Sequence, residues 1–189
     1  MLSARNLRNL RDGVLDIAQD ALNIRTDFTD DRAFLWAGGL DTSKIFVFDV
    51  KTDPSKPKLV RTIHDFVAKS GGVVGPHTIY ALPGRMIITG LSNNKDHGGR
   101  TALVEYTNEG EYIATHWIPT DADLQGAIKT GQFADGYNYD VRALPRKNLL
   151  VTSSFTGWNN YMMDFGKLLT DADAMKHFGN TVVTWDLHT

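Results

Sequence analysis

Residues 44–63 read KIFVFDVKTDPSKPKLVRTI. The first seven, Lys44–Val50, are rich in β-branched and aromatic residues, as strands are. The next six, Thr52-Asp53-Pro54-Ser55-Lys56-Pro57, form a loop, because two prolines cannot sit in a central ladder. Leu59–Ile63 then resumes as a strand. Strand, polar turn and returning strand make an antiparallel unit. The same grammar extends outward. Ala33–Ala37 reads as a short strand before a Gly38-Gly39-Leu40-Asp41 turn. Thr78–Leu82 and Arg85–Thr89 flank the Pro83-Gly84 turn. Ala102–Tyr106 and Tyr112–Ile118 flank Asn108-Glu109-Gly110. Asn148–Ser153 and Thr181–Asp186 complete the set.

Short strands joined by hairpins point to an all-β architecture. A loose internal repeat sharpens it. A strand closing on an acid or aromatic recurs at Ile45–Asp49, Ala102–Tyr106 and Val182–Asp186, and the first two are followed by a turn and a partner strand. Kelch-type blades recur every ~50 residues. The longer intervals here fit propeller blades with insertions at residues 120–135 and 159–178. In the second insertion Thr170–Phe178 reads as a helix, with Thr170 as its N-cap and Asp173 in the capping-box position. Residues 2–22 carry helical periodicity, with Leu7, Leu10, Val14, Ile17 and Ala21 on one stripe. The expected organisation is an N-terminal helical extension over 1–32 and a partial β-propeller over 33–189.

Composition narrows the function. The chain has 189 residues, 42% hydrophobic and 22% charged, enough for a domain with a real core. Twenty basic and 22 acidic residues leave a formal charge of −2, so no basic excess exists to neutralise phosphates and nucleic acid is not an expected partner. There is no cysteine, which rules out disulfides, thiol nucleophiles and iron–sulfur ligation from these residues. No apolar run is long enough for a membrane-spanning helix. Charges recur through residues 1–22, without a signal-peptide apolar region, so the default expectation is cytoplasmic.

Few motifs carry chemistry. Gly98-Gly99 belongs to no phosphate loop, Ser153-Ser154 to no nucleophile elbow, and Asp121-Ala122-Asp123 offers only two of the acids a calcium loop needs. The six histidines, at positions 64, 77, 97, 116, 177 and 188, show no metal-binding spacing. His77 is the candidate ligand. Gly75-Pro76 stiffens its approach, and a histidine at the start of a propeller strand can face the central channel. A surface or structural histidine is the alternative. Trp36, Trp117, Trp158 and Trp185 read as core, and the loop Trp158–Met163 as a cover over a blade end or the lining of a pocket.

The stretch GPHTIYALPGRMIITGLSN (75–93) resembles the selenium-binding protein / methanethiol oxidase family. GGLDTSKIFVFDVKTDPSKPKLVRTI (38–63), DGYNYDVRALPRKNLLVTSSF (135–155) and FGKLLTDADAMKHFGNTVVTWDLHT (165–189) extend the resemblance in order along residues 33–189. It implies a seven-bladed β-propeller, of which these residues would supply about three blades. It also implies copper-dependent oxidation of a small thiol, methanethiol, to formaldehyde, hydrogen sulfide and hydrogen peroxide, with His77 as a metal-site residue. This sequence departs from the family pattern in three ways. It has no early cysteine motif. It is shorter than family members. Where they often read His-Thr-x-His, it reads His77-Thr78-Ile79-Tyr80. These departures imply an incomplete copper site and an isolated chain without activity, and keep a non-catalytic propeller scaffold as the rival reading. An open arc of blades would expose faces carrying Phe46, Phe48, Trp117 and Val183, through which the chain could self-associate.

Overall fold

The computed structural model describes residues 33–96, 100–123 and 135–187. The expected helix over residues 2–22 lies outside them. Among the described residues ten strands form three antiparallel sheets. The first contains β1 (Phe34–Gly39), β2 (Lys44–Asp49) and β3 (Lys58–Ile63). The second contains β4 (Val73–Leu82), β5 (Arg85–Asn93), β6 (Ala102–Thr107) and β7 (Tyr112–Trp117). The third contains β8 (Asp140–Leu144), β9 (Leu149–Ser153) and β10 (Val182–Asp186), with β9 in its middle. Among the described residues the helices are short: α1 (Phe66–Lys69), α2 (Trp158–Tyr161), α3 (Phe165–Thr170) and α4 (Ala172–Lys176). None is long and apolar enough to cross a membrane.

Strand periodicity explains the stacking. In β5, Met86 and Ile88 point to one face and Ile87 to the other. Met86 and Ile88 join Ala102, Val104 and Tyr106 of β6, Ile45 and Ile63 of the first sheet, and Phe66 of α1. Ile87 joins Leu103, Leu82 and Ile118, which meet Val141, Leu150 and Leu187 from the third sheet's side. The second sheet therefore lies between the other two. The sheets do not close on themselves among the described residues. Their first strands are neighbours: β1 packs beside β4, and β4 beside β8. Gly38 of β1 permits this approach, since a Cβ there would stand 2.6 Å from the Pro76 carbonyl oxygen of β4.

Local differences from the sequence reading have physical causes. β4 starts at Val73, because Gly75 and Pro76 continue the strand into a bulge instead of breaking it. β8 alternates, with Val141 buried and Ala143 packed beside it, but its five residues carry two charges and end at Pro145, so nothing in the sequence separates them from the polar stretch before them. Residues 170–178 are not one helix. Thr170 ends α3, and Asp171 caps α4 by accepting from the backbone N–H groups of Asp173 and Ala174. Trp117 and Val183 are half-buried against the two inter-sheet clusters instead of lining open faces.

Candidate functional site

β4 and β5 pair Pro76 with Gly90 and then Ile79 with Ile88. Two residues on β4, His77 and Thr78, therefore oppose one on β5, Thr89. This is a β-bulge, a device that re-aims side chains and recurs beside functional sites. Proline favours it, having no N–H to give the ladder. Gly75, with φ of +66°, adopts the left-handed backbone that leads into it. Its N–H donates to Ser43 Oγ at 3.0 Å, tying the bulge to the β1–β2 turn.

His77 is thus inside β4, not at its start, and its ring is exposed. It lies against the segment entering β8. The ring centroid stands 4.2 Å from that of Tyr139. Tyr139 continues to Phe155 at 4.7 Å, and Phe155 to Phe178 at 5.5 Å. Nδ1 of His77 lies 3.2 Å from the Tyr139 carbonyl oxygen and 3.2 Å from Thr78 Oγ1. Among the described residues nothing hydrogen-bonds Nε2. A histidine anchored through one ring nitrogen to a backbone carbonyl is the arrangement that prepares the other for a metal. By this measure His77 fits a ligand role, as one ligand. No group of three His, Asp or Glu side chains among the described residues could hold a metal ion.

The loop Trp158–Met163 folds as α2 and the turn after it. Tyr161 reaches back across the sheets, so that a Cβ on Gly75 would stand 2.8 Å from its hydroxyl oxygen. Burial and, secondarily, Asp41 push that hydroxyl's pKa well above the ordinary tyrosine range. Asn160 fixes the element from within, donating to Thr156 Oγ1 and to the Ala174 carbonyl. The insertion therefore covers the end of the sheet stack next to the bulge.

The other described histidines lie elsewhere. His64 is exposed between β3 and α1, and His177 closes α4. His116 belongs to an ionic cluster that sequence reading missed. Its Nε2 lies 3.0 Å from Glu105 Oε2, and Arg85 Nη1 lies 2.7 Å from Glu105 Oε1. Arg85 also donates to the Leu187 carbonyl, linking the second and third sheets. The only sequence signal for this cluster is an acid in the apolar run ALVEY. His97 and His188 lie outside the described residues.

The arrangement has known counterparts. In three dimensions the chain is similar to the X-ray structure of a hypothetical selenium-binding protein from Sulfolobus tokodaii. The TM-score is 0.63 at 23% identity, over 82% of this chain and 31% of that one, a likeness of fold. In sequence it is 68% identical over 163 residues to a methanethiol oxidase from Ruegeria pomeroyi, covering 86% of this chain and 37% of that protein. A methanethiol oxidase from a Hyphomicrobium species is 56% identical, over 86% of this chain and 34% of that protein. The chain thus spans little more than a third of the length of these relatives. The family profile described as 56 kDa selenium binding protein matches residues 21–189. With the profile, the close relatives and the fold in agreement, the chain belongs to the 56 kDa selenium-binding protein family.

Proposed function

We propose that this chain is a section of a β-propeller methanethiol oxidase in which His77 contributes to a copper site. The three sheets act as consecutive blades of a seven-bladed ring, and their first strands β1, β4 and β8, with β4 between the other two, line its axis. The observation that carries this reading is the placement of His77. It sits on β4, between β1 and β8, its ring is exposed, and its Nδ1 lies 3.2 Å from the Tyr139 carbonyl. Support also comes from the methanethiol oxidases of Ruegeria pomeroyi and Hyphomicrobium.

The overall reaction balances as methanethiol, O2 and water giving formaldehyde, hydrogen sulfide and hydrogen peroxide. Two electrons leave the methyl carbon and reduce O2 to peroxide. Copper, when bound, supplies affinity for a thiolate and one-electron chemistry. His77 offers a neutral imidazole nitrogen to the metal, and Tyr139 keeps the ring in place by stacking. The remaining ligands come from residues beyond those that gather at His77 here. Accordingly the 189-residue chain alone should release no hydrogen sulfide from methanethiol.

A substoichiometric Cu(II) titration followed by NMR tests the reading. Paramagnetic broadening should reach the His77 ring before the other five histidines, and His77→Gln should remove the early phase. Broadening that begins at any other histidine overturns it. We also propose that the exposed apolar residues of the outer sheets, Leu59, Val60 and Val182 among them, drive self-association of the isolated chain. A concentration-independent monomer in sedimentation would refute that.

A further inference from the structure

The bulge that displays His77 carries a directed chain of hydrogen bonds. A bulge leaves a main-chain group without its ladder partner. Here that group is the Thr78 N–H, and it donates to Thr89 Oγ1 at 2.9 Å. Thr89 is fully buried. Its hydroxyl has one proton to give, and the Tyr139 carbonyl oxygen receives it at 2.8 Å. The same carbonyl lies 3.2 Å from His77 Nδ1. A carbonyl can only accept, so this contact is a hydrogen bond when Nδ1 carries the imidazole proton. The Thr78 hydroxyl, also near Nδ1, can donate or accept and does not decide the matter.

We infer that Thr89 is a positioning residue for His77. By satisfying the bulged N–H and pinning the Tyr139 carbonyl, it holds the imidazole in the Nδ1–H tautomer with the Nε2 lone pair free for an electrophile. The electrophile is a metal cation of the kind that imidazole binds, such as copper. Thr89 touches neither metal nor substrate. It acts through one carbonyl, from the strand facing the bulge. The inference rests on the proposed copper role only for what Nε2 binds. The tautomer itself is a property of the chain without metal.

The experiment uses the full chain, metal-free, with 15N-labelled histidine in alkaline buffer where neutral imidazole dominates. Long-range 1H–15N spectra distinguish the protonated from the bare ring nitrogen, and His77→Gln identifies the signal. In the wild type, His77 should be protonated at Nδ1 and bare at Nε2. Thr89→Val keeps the shape and removes the hydroxyl. Its Nδ1–H to Nε2–H ratio should fall about tenfold, the weight of one ordinary hydrogen bond. Thr89→Ser should restore the wild-type ratio, which a purely space-filling role would not require. An Nε2–H tautomer in the wild type overturns the inference, as does a Thr89→Val spectrum identical to it. If Thr89→Val does not fold, Thr89→Ala, which also lacks the hydroxyl, takes its place as the variant that Thr89→Ser must restore. A chain with the expected tautomer that does not bind Cu(II) at His77 would remove the copper reading and leave the positioning role standing.

Discussion

The middle sheet and the two flanking sheets use the same residue types to different effect. Every residue of β5 from Met86 to Asn93 is buried, because the first sheet covers one face and the third sheet covers the other. In the flanking sheets burial falls on one face only. Ile45 and Val47 of β2 are buried, while Phe46 between them and Phe48 after them are half-exposed. β10 has no buried residue, and Val182 is 67% exposed. Position in the stack, not β-propensity, sets the energetic weight of a side chain. The largest expected effect tests this directly. Ile88→Ala should cost about 4 kcal/mol, since a fully buried isoleucine loses its transfer energy and leaves a cavity. Val182→Ala should stay within about 0.5 kcal/mol. Urea unfolding of both variants measures the contrast, and equal losses would break it.

The junctions between sheets differ as well. Both junctions add a polar tie to their apolar contacts: Arg61 of β3 pairs with Glu111 in the β6–β7 turn at 2.8 Å, exposed, whereas on the side facing the third sheet a buried ionic cluster within the second sheet reaches the Leu187 carbonyl. Glu105 sits 5% exposed on β6 with Arg85 and His116 on its two oxygens. Burial raises its pKa, but hydrogen bonds from His116 and Arg85 and the Arg85 charge outweigh this, so the net shift is downward. A lowered folded-state pKa gives stability that is present above the ordinary glutamate range. It is lost as the pH falls through the lowered value. Glu105→Ala should cost about 3 kcal/mol at neutral pH, because it strands a partly buried guanidinium. Glu105→Gln should flatten the acid limb of a stability–pH curve. An unchanged acid limb would mean the carboxylate titrates as it does in the unfolded chain.

The contact between first strands is narrower than either junction. A methyl group on Gly38 would meet a backbone carbonyl, which cannot swing aside as a side chain can. Gly38→Ala should therefore cost about 2 kcal/mol by forcing β1 from β4. The change should also perturb His77, which follows Pro76 directly. Thermal unfolding reads the first effect and the His77 ring resonance the second. A loss of stability with an unmoved His77 signal would show that the sheets part without disturbing the bulge.

The same contrast explains what the sequence disclosed. β2, β3, β6 and β7 were legible to within one or two residues because each is a β-branched or aromatic run ended by a polar turn. The three-sheet organisation followed from the repeat of Ile45–Asp49, Ala102–Tyr106 and Val182–Asp186. The bulge was not legible. Gly75-Pro76 reads as a stiff approach to a strand beginning at Thr78, and only the partner strand reveals that the ladder already runs from Val73 and resumes at Ile79. His77 could be singled out, but Thr89 and Tyr139 could not, since what matters at Tyr139 is a main-chain carbonyl supplied from 62 residues away. By type Asp171 is the stronger N-cap of the pair; Thr170 beside it is also a capping residue, and only the structure shows that it ends the preceding helix instead.

The smallest effect is the most discriminating about how the first junction is packed. Tyr106 is fully buried, stacked at 6.3 Å on Phe66 and edge-on at 5.9 Å to Tyr112. Its hydroxyl meets no hydrogen-bond partner among the described residues. A buried hydroxyl without a partner loses its water and gains nothing in return. Tyr106→Phe keeps both ring contacts and removes that cost, so it should be neutral or stabilising by up to about 1 kcal/mol. Alkaline pH sharpens the test. Burial first, then Asp65 and Tyr112, raise the phenol pKa to about 12. A raised folded-state value gives stability that is full below the ordinary tyrosine pKa and lost as the pH climbs through the folded value. Wild type should therefore lose this contribution between about pH 10 and pH 12, and Tyr106→Phe should lose less over the same interval. A phenylalanine variant destabilised by more than about 1 kcal/mol would mean that the hydroxyl has a partner inside the apolar cluster of this junction.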